Sequence, residues 1–325
     1  MSTLRHVRSQ WVRPERTATP SVTIVVPARN EARNLEVVLP QLPAVHEILV
    51  VDGHSSDDTA DVVRRVRPDA RLLQQTRRGK GNALAVGFEN ATGDVVVMFD
   101  ADGSADADEI PAYVAALEAG ADFAKGSRVL AAGGSEDITV LRDAGNRGLT
   151  LVVNTLFRTR YTDLCYGYNA FWRDILPVVS VPASAGADPV WGDGFEIETL
   201  INCRIAAAGL VIHEVPSVEK ERIHGESNLN TFRDGFRVLR TILRERLRRG
   251  GASPRGIEPP VVEVPAAEVL PQGLRTDHVD LTVASAAAED PTERERQHRA
   301  DDAQRERHAV APEPRRLAPT SQEAR

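Results

Sequence analysis

The chain has 325 residues, 42% of them hydrophobic, and a formal net charge of −7 at pH 7. This length suits one large domain with a buried core, and the acidic balance argues against a nucleic acid as partner. The two cysteines form no CxxC pair, and the sequence has neither a signal peptide nor an apolar run that could span a bilayer. We therefore expect a cytoplasmic protein, either free in solution or peripheral on the inner face of the plasma membrane.

Composition divides the chain into four segments. Residues 1–20 are polar and basic and are predicted to form a flexible N-terminal arm, whereas 21–228 contain the apolar runs of a folded domain. Residues 229–249 are predicted to form a basic amphipathic helix. Residues 250–325 contain no aromatic side chain, and we expect a disordered tail because such a composition buries too little apolar surface to offset the entropy of ordering.

The first part of the domain alternates between apolar runs and helical patterns. The predicted strands cover 21–26, 48–51, 71–74 and 95–99. Of the helices between them, the first covers 31–39, the second follows N-cap candidates at 55–58 and runs to about 66, and the third covers 79–88. This alternation indicates an α/β fold with a mostly parallel, Rossmann-like sheet flanked by helices on both faces. Ligands of such sheets bind beyond the carboxyl ends of strands. Asn30, Asp52, Asp100 and Asp102 each follow such an end, so we expect them at one edge of the sheet.

The second part of the domain is less regular. Strands are predicted at 121–126, 167–172 and 211–215, and helices at 145–157, 195–208 and 229–249. In the last helix an apolar stripe has helical spacing: Phe232, Phe236, Leu239, Leu243 and Leu247. Residues 233–249 contain seven arginines and two acids, which gives this segment a net charge of +5. This pattern is typical of a helix on a membrane surface, and an ordinary packing helix is the alternative.

The Asp100-Ala101-Asp102 segment directly follows the strongest strand pattern. Both carboxylates can reach one Mg²⁺ or Mn²⁺ ion and leave coordination positions open for diphosphate oxygens. Such an ion stabilises the charge of a departing nucleoside diphosphate. The alternative is a solvated acidic turn, because Asp106, Asp108 and Glu109 follow.

Four segments in this order resemble glycosyltransferase family 2: 27–31 (PARNE), 50–59 (VVDGHSSDDT), 78–83 (RGKGNA) and 100–103 (DADG). The resemblance covers about 22–249 and is greatest to the dolichyl- and polyprenyl-phosphate sugar synthases. It implies a GT-A fold. The residues it assigns to nucleotide binding are Pro27, Ala28, Arg29, Glu31, Asp52, Lys80 and Asp100. The residues it assigns to the metal are Asp100, Asp102 and His224.

The resemblance also implies an acceptor site in the second part. An acid at the start of the helix near 195 would act as general base or orient the donor sugar, and Asp193 and Glu196 are both candidates. The alternative is that either acid only caps the helix. Residues 219–229 resemble the family segment Arg-x-x-Gly-x-Ser-x-Leu, and the residues implied to bind phosphate or acceptor are Arg128, Arg222 and Ser227. Asn228 stands where the lipid-phosphate relatives commonly have lysine.

Together with the acidic pair, the resemblance implies an inverting, metal-dependent transfer of a sugar from a UDP- or GDP-sugar to polyprenyl phosphate. A soluble phosphorylated acceptor is the nearest alternative. A sugar nucleotidyltransferase is less compatible, because 27–31 lacks the glycine-rich loop that such enzymes carry after the first strand. A non-catalytic binding module is disfavoured by the intact acidic pair.

Overall fold

The computed structural model describes residues 13–225, 231–248 and 261–263, all within one of two units of the chain, Met1–Pro271. The strands are β1 Val22–Ala28, β2 Glu47–Asp52, β3 Arg71–Gln74, β4 Val95–Met98, β5 Phe123–Ser127, β6 Gly134–Ser135, β7 Asn169–Trp172, β8 Ile212–Pro216, β9 Val218–Glu219 and β10 Val261–Glu263. The helices are α1 Ala32–Gln41, α2 Thr59–Val66, α3 Lys80–Asn90, α4 Ile110–Glu118, α5 Val140–Phe157, α6 Leu176–Val179, α7 Glu196–Ala208 and α8 Thr231–Arg248.

Eight strands form one sheet in the order β10-β8-β5-β7-β4-β1-β2-β3. All neighbours are parallel except β7, which runs antiparallel to both β4 and β5. A small parallel pair, β6 and β9, lies apart from it. The prediction of a mostly parallel α/β sheet is confirmed, and the carboxyl ends of β1, β2 and β4 meet at one edge.

Both faces of the sheet are buried. In β1, Ile24 and Val26 pack into the cluster formed with α1, α2 and α4, whereas Val25 packs into the cluster formed with α3, α5 and α7. This two-residue alternation is what a strand covered on both sides requires. The predicted helices on both faces are therefore confirmed.

Several predicted boundaries differ from the structure. β1 continues past Pro27 to Ala28. Pro27 pairs with Val51 of β2, but the pairing of β1 with β4 ends at Val25, so Pro27 has no partner on the β4 side. Its missing N–H therefore costs no hydrogen bond of the sheet. α1 includes Pro40 in its last turn. α5 begins at Val140, before the predicted start at 145, because the Thr139 side chain accepts a hydrogen bond from the backbone N–H of Arg142.

The described part of the predicted N-terminal arm, 13–20, contacts the folded domain through two arginines. Arg13 and Arg16 both pair with Asp122, at 2.6 and 2.7 Å, and Arg16 also pairs with Asp174 at 2.8 Å. The Arg16 guanidinium also lies 4.8 Å from the centre of the Trp172 ring. These contacts offset the entropy of ordering the segment.

Most of the predicted tail, 250–325, lies outside the described residues. The exception is β10, which pairs with β8 as an edge strand. Among the helices that are described, each is too short or too polar to cross a lipid bilayer.

Candidate functional site

Two loops at the carboxyl edge of the sheet are tied together by backbone and amide hydrogen bonds. The N–H of Gly53, after β2, donates to the carbonyl of Ala28 at 2.7 Å. Asn30 has a positive φ of 57°, which asparagine tolerates, and its side-chain oxygen accepts the N–H of Ser56 at 2.8 Å. The convergence of strand ends predicted from the sequence is therefore present.

The predicted nucleoside-binding residues surround this junction. Pro27 and Ala28 end β1, and Arg29 is exposed beside them. Asp52 ends β2 and is buried; its carboxylate oxygens accept the backbone N–H of Ser55 at 3.2 and 3.3 Å. Asp52 thus stabilises its own turn, and its predicted contact with a nucleotide base stays a prediction.

Lys80 connects the Asp-x-Asp turn to α7. Its ammonium lies 2.6 Å from Oδ1 of Asp100 and 2.6 Å from Oε1 of Glu198. Burial alone would lower the pKa of Lys80, but the charges of Asp100 and Glu198 outweigh it and raise that pKa above its usual value. Burial raises the pKa of the Asp100 carboxyl, and Asp102 and Glu198 raise it further against the opposing charge of Lys80. The carboxylates of Asp100, Asp102 and Glu198 surround the single ammonium of Lys80, so negative charge exceeds positive charge there.

Arg222 makes a second bridge at the same edge. Its guanidinium donates to Oδ2 of Asp102 at 2.8 Å and to Oε1 of Glu31 at 2.9 Å. The 220–224 segment also lies along the turn through its backbone, since the N–H of Ile223 donates to the carbonyl of Asp102 at 3.1 Å. The backbone carbonyl of His224 accepts from the Asn34 amide at 3.1 Å. Glu31 and Arg222, which come from opposite ends of the domain's sequence, therefore meet at Asp102.

The turn itself depends on Gly103. Its φ of +81° lies in the left-handed region, and a Cβ there would come within 2.4 Å of the Ile223 side chain. Oδ1 of Asp102 accepts from the backbone N–H and the hydroxyl of Ser104, at 3.0 and 2.7 Å. The glycine after the acidic pair therefore allows both the turn and the close approach of the Arg222 segment.

The Asp100–Asp102 turn contains carboxylate oxygens of the kind that bind divalent cations. Within the described ranges no three His, Cys, Asp or Glu side chains already converge as a ligand cluster, so Asp100, Asp102 and His224 do not form a preassembled three-residue site. Two carboxylates with excess negative charge are nevertheless the oxygen ligands that Mg²⁺ and Mn²⁺ prefer, and such a pair leaves positions for ligand oxygens.

Asp193 is used structurally. Its carboxylate makes a bidentate ion pair with Arg77, with both N–O distances 2.8 Å and the two side chains 8% and 2% exposed. Its backbone carbonyl accepts the N–H of Gly81 at 2.7 Å. A Cβ at position 81 would lie 1.8 Å from the carbonyl oxygen of Gly192, so only glycine allows this approach. Both carboxylate oxygens of Asp193 are therefore occupied by Arg77, and its role as a general base stays a prediction.

Glu196 begins α7 and is buried. Its Oε1 accepts the backbone N–H of Gly192 at 3.0 Å, and its Oε2 lies 3.7 Å from Nε of Arg237 in α8. These contacts hold the loop before α7 and do not cap the helix, whose N-cap residue is Phe195 with no side-chain cap bond. Glu198, two residues later, is the acid of this helix that reaches Lys80.

Arg128 is held by acidic neighbours. It donates to both carboxylate oxygens of Asp163 at 2.7 and 3.0 Å and to Glu219 at 2.9 Å, with its guanidinium 4.9 Å from the centre of the Tyr166 ring. Burial would raise the pKa of Asp163, but the bonds from Arg128 lower it to about 2. Ser227, predicted beside Arg222, lies outside the described residues.

Comparison with known proteins agrees with this geometry. The family model for Glycosyl transferase family 2 matches residues 23–177. The polyprenol monophosphomannose synthase of Mycolicibacterium smegmatis is 30% identical over 246 residues, covering 71% of this chain and 90% of that protein. The chain belongs to glycosyltransferase family 2.

Two other likenesses are more limited. An uncharacterized glycosyltransferase of Mycobacterium tuberculosis is 43% identical over 113 residues, which are 35% of this chain; the match spans about half (51%) of that relative. The structure of glucosyl-3-phosphoglycerate synthase from Mycobacterium tuberculosis in complex with Mn²⁺, uridine-diphosphate and phosphoglyceric acid has a TM-score of 0.55 at 22% identity. The match covers 73% of this chain and 85% of the synthase chain, and it confirms the GT-A fold.

In this family 2 chain the sequence patterns did not single out Glu198 or Arg77. Glu198 lies in the first turn of α7, where acids are common for helix stability alone. Arg77 stands next to the quoted segment 78–83, but its partner is 116 residues away in the sequence. The sequence does distinguish the two acids in one respect. Glu196 and Glu198 are two residues apart, so they lie on different faces of the helix.

Proposed function

We propose that the chain transfers a sugar from a UDP- or GDP-sugar to the phosphate of a polyprenyl phosphate, with inversion and with Mg²⁺ or Mn²⁺. The observation that carries this proposal is the meeting of Asp100, Asp102, Lys80 and Arg222 at the carboxyl edge of β1 and β4. A diphosphate needs this mixture of carboxylates for a cation and of basic groups for its oxygens. The likeness to a polyprenol monophosphomannose synthase supports the acceptor.

The donor would lie across the ends of three strands. Pro27, Ala28, Arg29 and Asp52 would contact the nucleoside, since their loops form the floor beside β1 and β2. Lys80 would contact the diphosphate at the N-terminus of α3, where the helix dipole favours anions.

Asp100 and Asp102 would hold the cation, and we propose His224 as a further ligand because its segment is fixed beside Asp102. The ion supplies neutralisation of charge on the departing nucleoside diphosphate. Arg222, which now pairs with Asp102 and Glu31, would turn its guanidinium to a phosphate once those carboxylates have another positive partner.

A phosphate acceptor is already ionised at neutral pH, so the reaction needs no strong base. We propose that Glu198 is the acid at the sugar, because it is bonded to Lys80 within the donor site. Asp193 and Glu196 would hold the loop before α7 in place. Arg128 and Ser227 would bind the acceptor phosphate. Arg128 already donates to Asp163 and Glu219, so binding a phosphate requires that some of its five N–H groups donate to the ligand instead.

The test is release of nucleoside diphosphate from a panel of UDP- and GDP-sugars with Mg²⁺ or Mn²⁺. Each donor is assayed alone, with a short-chain polyprenyl phosphate in detergent, and with small phosphorylated acceptors. Asp102→Ala is the test variant, and Asp108→Ala, an exposed acid of the same acidic segment, is its matched control. Turnover that needs the polyprenyl phosphate and is lost only in Asp102→Ala supports the proposal. Turnover with a soluble acceptor alone overturns the lipid assignment, and no turnover with any donor overturns the transferase.

A further inference from the structure

Exposed hydrophobic side chains are concentrated on two helices. Among the described residues, the six most exposed large hydrophobic side chains lie on α5 and α8, with 47% to 89% of their surface accessible. They are Val140, Leu141, Leu151, Phe236, Leu243 and Leu247. Single exposed apolar residues are ordinary, but a cluster of this kind indicates a contact surface.

The two helices lie side by side. α5 and α8 contact one another, and both cover the same core cluster, into which Val153, Phe157 and Ile242 point. Their outward sides therefore adjoin, and the six residues above form one surface, called here the two-helix surface.

On α8 three residues of the apolar stripe predicted from the sequence, Phe236, Leu243 and Leu247, face outward, whereas Leu239 is half-buried. The buried side contains Thr241, Ile242 and Glu245. Helical geometry places Phe236, Leu243 and Leu247 within about 40° of arc on the opposite side. The side chain of Phe232, which belongs to the same predicted stripe, lies outside the described residues.

On α8 the charge that accompanies this surface is positive. Both acids of α8, Asp234 and Glu245, are buried, and Glu245 is paired with Arg204 at 3.0 Å. Arg240 and Arg244 border the apolar arc on one side and Arg246 on the other, and all three are exposed. Arg240 and Arg244 also lie 5.0 and 5.1 Å from the centre of the Trp191 ring, which orders them along that border.

We propose that the two-helix surface binds an anionic phospholipid bilayer, with its leucines and phenylalanine among the acyl chains and its arginines at the headgroups. Charge complementarity selects this occupant. A second copy would bring the same arginines face to face, whereas an anionic leaflet attracts each of them.

The surface adjoins the acceptor side of the site through both helices. Arg237 of α8 lies 3.7 Å from Glu196, and Asn146 of α5 donates to Asp163, the partner of Arg128, at 2.8 Å. Binding to a bilayer would therefore present the acceptor side to the headgroups. This last consequence rests on the proposed polyprenyl-phosphate acceptor, whereas the lipid surface itself does not.

The experiment is co-sedimentation of the full chain, without donor, with vesicles of phosphatidylcholine alone or mixed with phosphatidylglycerol. We expect binding only to the mixed vesicles. Phe236→Ser with Leu247→Ser should weaken it about tenfold or more, because two apolar side chains no longer leave water. Arg240→Glu with Arg246→Glu should weaken it at least about tenfold, at roughly fivefold for each arginine removed. Val37→Ser and Arg64→Glu, exposed on α1 and α2, are the matched controls and should bind as the wild type.

Three results would overturn the proposal: no binding of the wild type to mixed vesicles, equal binding to both vesicle types, or unchanged binding of the two double variants. Light scattering after gel filtration tests whether the surface binds a second copy of the chain instead. A dimer that the Phe236→Ser, Leu247→Ser variant dissociates would assign the surface to self-association instead. Because neither measurement uses a nucleotide sugar, failure here is distinct from failure of the transferase assay, which uses detergent and no vesicles.

Discussion

Two arginine–aspartate pairs lie near the same edge of the sheet and differ mainly in burial. In the buried pair, Arg77 and Asp193, the side chains are 2% and 8% exposed; in the open pair, Arg222 and Asp102, they are 23% and 18% exposed. Removing one partner of a buried pair leaves an uncompensated charge without water, whereas a partly exposed partner is solvated or exchanged. We therefore expect the contact to stabilise the fold in the first region, and we propose that a ligand replaces it in the second.

The largest expected effect breaks the buried pair. Arg77→Ala should lower the free energy of unfolding by about 3–5 kcal/mol, because Asp193 stays buried and the carbonyls of Ala183 and Ala185 lose the donor that Arg77 supplies. Chemical denaturation followed by circular dichroism measures this change. Arg64→Ala, which breaks an exposed pair with Asp61, should cost at most about 1 kcal/mol. Equal losses in the two variants would contradict the distinction drawn from burial.

The next effect is expected on catalysis and not on folding. Asp102→Asn keeps the shape of the side chain but removes the charge proposed to hold the cation, so we expect about a 10²-fold loss of turnover. The unfolding midpoint should change little, since the amide still accepts from Ser104. Asp108→Asn is the control for general acidity of the turn. A large loss of stability in Asp102→Asn would mean that Asp102 mainly stabilises the fold.

A smaller effect separates the two acids of α7. Glu198→Gln removes the charge beside Lys80 and should lower kcat/KM about tenfold, a free-energy change of roughly 1.4 kcal/mol. Glu196→Gln should retain more activity, because its amide oxygen still accepts the N–H of Gly192. Steady-state kinetics at saturating metal measure both. If Glu196→Gln loses more turnover than Glu198→Gln, the acid at the sugar is Glu196.

The same contrast explains what the sequence can predict. Asp52 and Asp100 follow apolar strands directly, so local patterns place them at the sheet edge without knowledge of packing. The acids of 193–198 lie within one loop and helix start, and which of them reaches Lys80 depends on how α7 docks against α3. That docking is set by the backbone contact of Gly81 with Asp193, between segments far apart in sequence. Likewise, the stripe on α8 is visible in the sequence, but only the packing of Ile242 shows that the stripe faces outward.

The smallest expected effect concerns the open pair itself. Arg222→Ala should change the free energy of unfolding by no more than about 1 kcal/mol, because water reaches Glu31 and Asp102 after the guanidinium is removed. It should raise the KM for the nucleotide sugar by roughly fivefold to tenfold, since a charged hydrogen bond to phosphate is lost. Arg222→Lys keeps the charge but not the bidentate geometry, so it should recover stability fully and KM only in part. Thermal unfolding and donor titration together test this. A stability loss like that of Arg77→Ala with unchanged KM would mean that Arg222 holds the 220–224 segment in place and does not contact the donor.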